Sequence, residues 1–188
     1  MPPRRKKSDQ AALPGMPTME DLKDTLWKAA DKLRGSMDAA QYKDFVLTLV
    51  FLKYISDAFE ERRSYLRGEL VKDGVPEDRI DPFLEDHDEY EGAGVFWVPQ
   101  GARWNEIAAQ AKQGNSGKLI DDALDAIMKS NPVLSTALSK IFNRDNVDQR
   151  RLGELIDLIG DARFTGHEGK SARDVLGEVY EYFLEKFA

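Results

Sequence analysis

Apolar side chains recur along most of this chain at the three-and-four spacing of an amphipathic helix. Order is expected to begin at Thr18, an N-cap residue with Asp21 three positions on, close to a capping box. Leu22, Leu26, Ala29, Ala30 and Leu33 follow at helical spacing, Trp27 lies beside them, and Gly35 stands where a C′ glycine belongs. The longest helix is predicted from about Asp38 to Leu66. Tyr42, Phe45, Val46, Leu49, Leu52, Ile55 and Phe59 share one face, while Val50, Phe51 and Tyr54 widen the apolar arc beyond what an exposed helix needs. This helix is expected to be central and packed on more than one side.

The helical period lapses between about Gly68 and Arg103, where Gly74, Pro76, Gly92, Gly94, Pro99 and Gly101 mark loops. Asp81-Pro82 has the form of an N-cap followed by proline at the first helical position. Val95-Phe96-Trp97-Val98 is the best strand candidate, and Trp97 and Trp104 are placed to pin the surrounding loop to a core. Helices are then predicted at about Trp104–Gln113, Lys118–Lys129, Val133–Phe142 and Val147–Ile159, with Asn131-Pro132 as a stop between the second and third. Ser171 and Asp174 cap a last helix running through Val175, Leu176, Val179, Tyr180, Phe183, Leu184 and Phe187. The expected fold is mostly α: a multi-helix bundle of about seven or eight helices, with an irregular loop region and at most a short strand pair. The last helix stays amphipathic up to Ala188, which reads as a chain cut from a longer protein. A helix docked at a natural C-terminus is the alternative.

Ahead of this bundle, residues 1–17 contain four prolines besides the cluster Arg4, Arg5, Lys6 and Lys7. They are read as a basic, mobile tail in front of a domain at 18–188. The tail lacks a following apolar stretch, so it is no secretory signal, and no run in the chain approaches the roughly 18 apolar residues that span a bilayer.

Composition narrows the chemistry. The 188 residues include no cysteine, which excludes disulfides, thiolate metal sites and cysteine nucleophiles. Against 34 Asp and Glu stand 27 Lys and Arg, a formal charge of −7 with an isoelectric point near 5.0. A small module dedicated to nucleic acid is usually basic, although a local basic face remains compatible with these totals. A protein that mimics DNA to inhibit other enzymes would need a much stronger acidic excess.

No catalytic constellation emerges. The only histidines, His87 and His167, lack a second histidine at ligand spacing, and Glu85-Asp86-His87-Asp88-Glu89 lacks the alternation and glycine of a calcium loop. Gly114-Asn115-Ser116-Gly117-Lys118-Leu119 has two residues between its glycines where a phosphate loop has four, and Leu119 replaces the hydroxyl that would bind magnesium. It fits a helix end followed by a helix start. Asn131-Pro132-Val133-Leu134 lacks the second proline and the aromatic ring of an adenine-methylating Asn-Pro-Pro-aromatic motif. Three basic groups are candidates for contact with DNA phosphates: Arg4, Arg5, Lys6 and Lys7 in the tail, Arg62, Arg63 and Arg67 at the end of the long helix, and Arg144, Arg150 and Arg151 around the start of a later one. Glu60, Glu61, Asp145, Asp148 and Glu154 lie close by, so a salt-bridged surface is the alternative.

Several stretches taken together carry a family resemblance. Leu26-Trp27-Lys28-Ala29-Ala30-Asp31-Lys32-Leu33-Arg34-Gly35 and Val50-Phe51-Leu52-Lys53-Tyr54-Ile55-Ser56-Asp57-Ala58-Phe59-Glu60 resemble the N-terminal helical domain of type I restriction-modification M subunits. Phe96-Trp97-Val98-Pro99, Ala102-Arg103-Trp104 and the closing segment from Gly177 to Ala188 are similar to the same domain, in the same order. The resemblance implies part of an adenine-N6 DNA methyltransferase that uses S-adenosylmethionine and extrudes the target base from the duplex. It further implies double-stranded DNA, a specificity subunit, a second M subunit and a restriction subunit as partners, in a bacterial or archaeal cytoplasm, with no membrane. The family's cofactor and catalytic motifs belong downstream, so no catalytic, cofactor or metal residue carries over and the chain alone is expected to be inactive. Its role would be clamping DNA and contacting subunits. A free-standing helical adaptor that binds proteins and no DNA is the competing reading.

Overall fold

A computed structural model describes residues 18–188 apart from Leu33, Ser36 and Glu168. The basic cluster of the first 17 residues, and the expected end of the first helix stripe at Leu33, lie outside the described residues. Among the described residues the chain forms eight α-helices and three 3-10 turns, with no strand, which is the helical bundle its periodicity predicts.

Helix α1 (Met19–Asp31) starts on a complete capping box: the Thr18 hydroxyl accepts from the Asp21 amide at 3.1 Å, and the Asp21 carboxylate accepts from the Thr18 amide at 3.0 Å. Gly35, at φ +89°, takes the left-handed turn that joins α1 to α2 (Ala39–Lys72), as its position suggests. Helix α2 has 34 residues, about 50 Å of rise, and continues to Lys72, past its expected end at Leu66. Gly68 has open space around it and breaks nothing, and the stop comes at Gly74, where φ is +80°.

The middle of α2 is buried around most of its circumference, with Phe45, Val46, Leu49, Val50, Leu52, Ile55 and Phe59 in the core and Leu47 and Phe51 partly exposed. Around it pack α3 (Ile80–Leu84), α5 (Trp104–Gln110), α7 (Gln149–Gly160) and α8 (Ala172–Phe187), and α1 closes over α7 and α8. Three polar side chains of this stretch, Lys53, Ser56 and Asp57, are bound internally. Lys53 Nζ donates to both Asp57 oxygens at 2.6 and 2.8 Å, and the Asp57 carboxylate also accepts from the Phe164 amide at 3.0 Å. Ser56 Oγ accepts from the Trp104 amide at 2.8 Å, fixing the start of α5. Helix α2 is thus a spine that holds distant segments by its polar side chains as well as its apolar ones.

Three expectations are corrected. Val95–Val98 forms no strand, because no neighbouring strand is at hand; the Asn131 side chain instead accepts from the Trp97 amide and donates to the Trp97 carbonyl, as a strand partner would. Asp81 is no N-cap: α3 begins at Ile80 behind a 3-10 turn at Glu77–Arg79, and the Asp81 carboxylate is taken by Arg67. The helix expected at Val133–Phe142 reduces to a 3-10 turn at Pro132–Leu134, after which the backbone is bound by side chains from elsewhere. The last stretches behave as read: α6 (Ser116–Ser130) begins just ahead of its predicted start, and α8 opens on a capping box of Ser171 and Asp174.

The Lys53–Asp57 pair is the one to break. With side chains only 5% and 16% exposed, replacing Asp57 by Ala leaves a buried ammonium and the Phe164 amide without their acceptor. Urea titration is expected to show a loss of about 3 kcal/mol, partly recovered when Lys53 is also changed to Met. A loss under about 0.5 kcal/mol, the scale of a surface pair, contradicts this role.

Candidate nucleic-acid interface

The two arginine groups singled out in the sequence meet different fates. Arg62, Arg63 and Arg67 fall on adjacent turns of α2 and reach the strap between Glu77 and Glu91, which includes α3 and the single turn α4 (Asp88–Glu91). Arg62 Nε donates to the Glu89 carbonyl at 2.9 Å and its guanidinium lies 3.6 Å from the Glu89 carboxylate. Arg63 donates to the Leu84 carbonyl at 3.3 Å and to Glu85 at 3.2 Å, with its side chain only 17% exposed. Arg67 forks between Glu77 at 2.8 Å and Asp81 at 3.0 Å. The acidic run at 85–89 therefore supplies counter-charges to α2. Beneath the strap Tyr90 stacks on Phe59 at 4.8 Å and donates to the Leu84 carbonyl at 2.7 Å, while His87 stacks on Trp97 at 3.8 Å. Burial pushes the Tyr90 hydroxyl pKa up, keeping it a neutral donor. The salt-bridged alternative describes these three arginines, and a phosphate would have to open their pairs.

Arg144, Arg150 and Arg151 stand at the other end of the molecule's polar inventory. The Asp148 carboxylate caps α7 by accepting from the Arg150 and Arg151 amides at 3.0 and 3.2 Å, which sets both side chains outward on the first turn. Arg150, 89% exposed, lies 3.6 Å from Glu154, and Arg151 lies 3.8 Å from Asp148. Arg144 is exposed and makes no ion pair among the described residues. Such loose exposed pairs contribute under about 1 kcal/mol each and exchange readily for a phosphate. Cations in a first helical turn also oppose the helix dipole, so helix stability does not account for them.

Sequence reading missed Arg173. It lies with Arg62, Tyr54 and Tyr65 along a groove of about 580 Å³ between α2, the 93–95 loop and the start of α8. Burial raises the Tyr54 hydroxyl pKa and the Arg173 charge opposes that shift. Arg173 is isolated in sequence from its groove partners, so no local pattern could have marked it. The second cleft, about 410 Å³, is lined by His87, Trp97, Asn131 and Val133. Asn131 has no donor left for a base there, since both its amide hydrogens go to the Trp97 and Ile127 carbonyls at 2.9 and 2.8 Å. In the glycine-flanked segment at 114–117, Ser116 Oγ donates to the Ala111 carbonyl and the Gly117 amide to Gln149, so its polar groups bind the fold itself. Among the described residues no three His, Asp or Glu side chains gather as metal ligands, and no helix is long and apolar enough to cross a membrane.

Comparison with known proteins adds to this geometry. A family profile described as the HsdM N-terminal domain matches residues 22–159. Over 173 residues the chain is 35% identical to the type I restriction enzyme MjaIX methylase subunit of Methanocaldococcus jannaschii, covering 89% of this chain and 31% of that protein. Over 109 residues it is 38% identical to the type I restriction enzyme HindI methylase subunit of Haemophilus influenzae, covering 48% of this chain and 24% of that one. The chain spans less than a third of either relative. A crystal structure of a type I restriction-modification methyltransferase subunit from Streptococcus thermophilus superposes with a TM-score of 0.61 at 21% identity, over 91% of this chain and 39% of that one. At that identity it supports the shared fold.

The arginine staples separate by burial. Arg63→Ala, which removes one of the two donors to the Leu84 carbonyl and the cation paired with Glu85, is expected to lower stability by about 1–2 kcal/mol, and Arg67→Ala by under about 1 kcal/mol. Hydrogen exchange should quicken at residues 80–91 in the Arg63 variant. Unchanged exchange there indicates that the strap is held by its aromatic core alone.

Proposed function

We infer the role of this chain from its family: it belongs to the HsdM N-terminal domain family. In this reading it is the helical, non-catalytic part of a type I restriction-modification subunit that methylates adenine at N6. It holds duplex DNA by its backbone and contacts neighbouring subunits. The observation that carries the reading is the extent of the likeness: 89% of the chain aligns with a methylase subunit, yet only 31% of that subunit is covered. Binding of S-adenosylmethionine and transfer of the methyl group fall to the remainder of the subunit. The expected partners are double-stranded DNA, a specificity subunit, a second M subunit and a restriction subunit, in a bacterial or archaeal cytoplasm. A free-standing adaptor is the less favoured reading, since the relatives are methylase subunits.

The DNA role is supported by the exposed Arg144, which makes no ion pair among the described residues, and the exposed, weakly paired Arg150 and Arg151. Contacts of this kind are blind to sequence and weaken with salt, because each phosphate neutralised releases counterions. The subunit role is supported by a row on α8, Leu176, Tyr180 and Leu184, one turn apart and incompletely covered, of which Tyr180 shares an open cleft with Leu47 and Phe51 of α2.

Two measurements on the 188-residue chain test the reading. With labelled S-adenosylmethionine and unmethylated duplex it should transfer no methyl groups, and in fluorescence anisotropy it should bind duplexes of unrelated sequence equally, with affinity falling steeply as salt rises. Methyl transfer by the chain alone, or affinity indifferent to salt, contradicts it.

A further inference from the structure

Residues 135–148 lie between α6 and α7 without helix or strand, yet they are not loosely held. Leu138, Phe142 and Val147 are buried, and Phe142 packs on Phe45 of the spine with ring centres 4.3 Å apart. The Asp121 carboxylate of α6 accepts from the Phe142 and Asn143 amides at 3.1 and 3.0 Å. Gln149 Nε2 donates to the Phe142 and Val147 carbonyls at 3.3 Å each, and its Oε1 accepts from the Gly117 amide at 2.7 Å. At the base, Lys140 and Lys129 both bind Asp125, and those ammonium groups hold its carboxyl below the usual range. Gly117 leaves no clearance: a Cβ there would lie 2.7 Å from the Phe142 carbonyl carbon and 2.8 Å from Gln149 Oε1, and would collide with the Phe142 carbonyl oxygen.

The exposed side chains of this framework include Ser135, Thr136, Ser139, Asn143, Arg144 and Asn146, whose amide donates to Gln41 at 3.3 Å. Hydroxyls, amides and a guanidinium are the side chains that donate to phosphate oxygens. Arg150 and Arg151 continue the surface onto α7, where the acidic groups are the exposed Asp145, the capping Asp148 and Glu154, 3.6 Å from Arg150. A long irregular segment is usually mobile or functional, and here side chains from two helices fix its shape.

We propose that residues 135–151 form a preshaped loop that seats the phosphate backbone of duplex DNA, with Arg144, Arg150 and Arg151 as its contacts and Gly117, Asp121 and Gln149 as positioning residues. This rests on the DNA-holding role proposed above and assigns it to one surface. Anisotropy of a short fluorescein-labelled duplex with the 188-residue chain, repeated across a salt series, tests it. The triple variant Arg144→Ala, Arg150→Ala, Arg151→Ala should bind about tenfold or more weakly, and its salt slope should be shallower by about 2 to 3. Lys72→Ala, at the far end of α2, should match the parent. Gly117→Ala keeps every arginine yet should weaken binding by displacing the loop, and circular dichroism reports whether it folds. A triple variant with the parent's affinity and slope overturns the proposal and leaves the DNA role standing on another surface. A parent chain that binds no duplex overturns both.

Discussion

A charged side chain on the buried face of a helix has nowhere to go except against a partner, and that constraint organises this bundle. The middle of α2 carries Lys53, Ser56 and Asp57 among its apolar residues. Each is satisfied by a neighbour or by backbone far away in sequence: Lys53 by Asp57, Asp57 by the Phe164 amide, Ser56 by the Trp104 amide. An unpaired charge at this depth costs several kcal/mol, so these contacts specify the arrangement of the helices as well as stabilising it. The start of α5 and the segment before α8 are registered against the spine by hydrogen bonds, while Phe45, Leu49, Leu52 and Phe59 supply the buried area. Beyond the core the same helix changes partner: its arginines bind the acidic strap at 77–91, which keeps a long projecting helix from fraying.

That division explains which basic residues are available for a ligand. Counting cations in the sequence does not separate Arg63, which is clasped by a carbonyl and a carboxylate, from Arg150, which stands in solvent. Only the fold does. A chain of net charge −7 can hold nucleic acid only through a local surface, and the one proposed for that role is the set of exposed arginines around the start of α7.

Much of the architecture was legible because it is encoded locally. Thr18 with Asp21 and Ser171 with Asp174 mark helix starts through bonds only three residues long, and the wide apolar arc of α2 announces a helix packed on more than one side. The failure at 133–142 is equally instructive. Leu134, Leu138 and Phe142 are buried at four-residue intervals, which imitates a helix. The backbone there is bound instead by Asp121 and Gln149, whose reach no periodicity reports. Val95–Val98 misled for the reverse reason: its composition suits a strand, but its pairing partner is one asparagine side chain. Of the candidate interface, the arginines at 144–151 could be found by proximity in sequence, whereas Arg173 meets its groove only after folding.

In the proposed arrangement the spine uses the arginines of α2 for structure and leaves the segment before α7 to meet DNA. Hydrogen exchange on the chain with and without saturating duplex addresses this directly. Protection gained at residues 143–151, with residues 60–72 and 77–91 unchanged, is the predicted result. Protection confined to α2 and its acidic strap would contradict it.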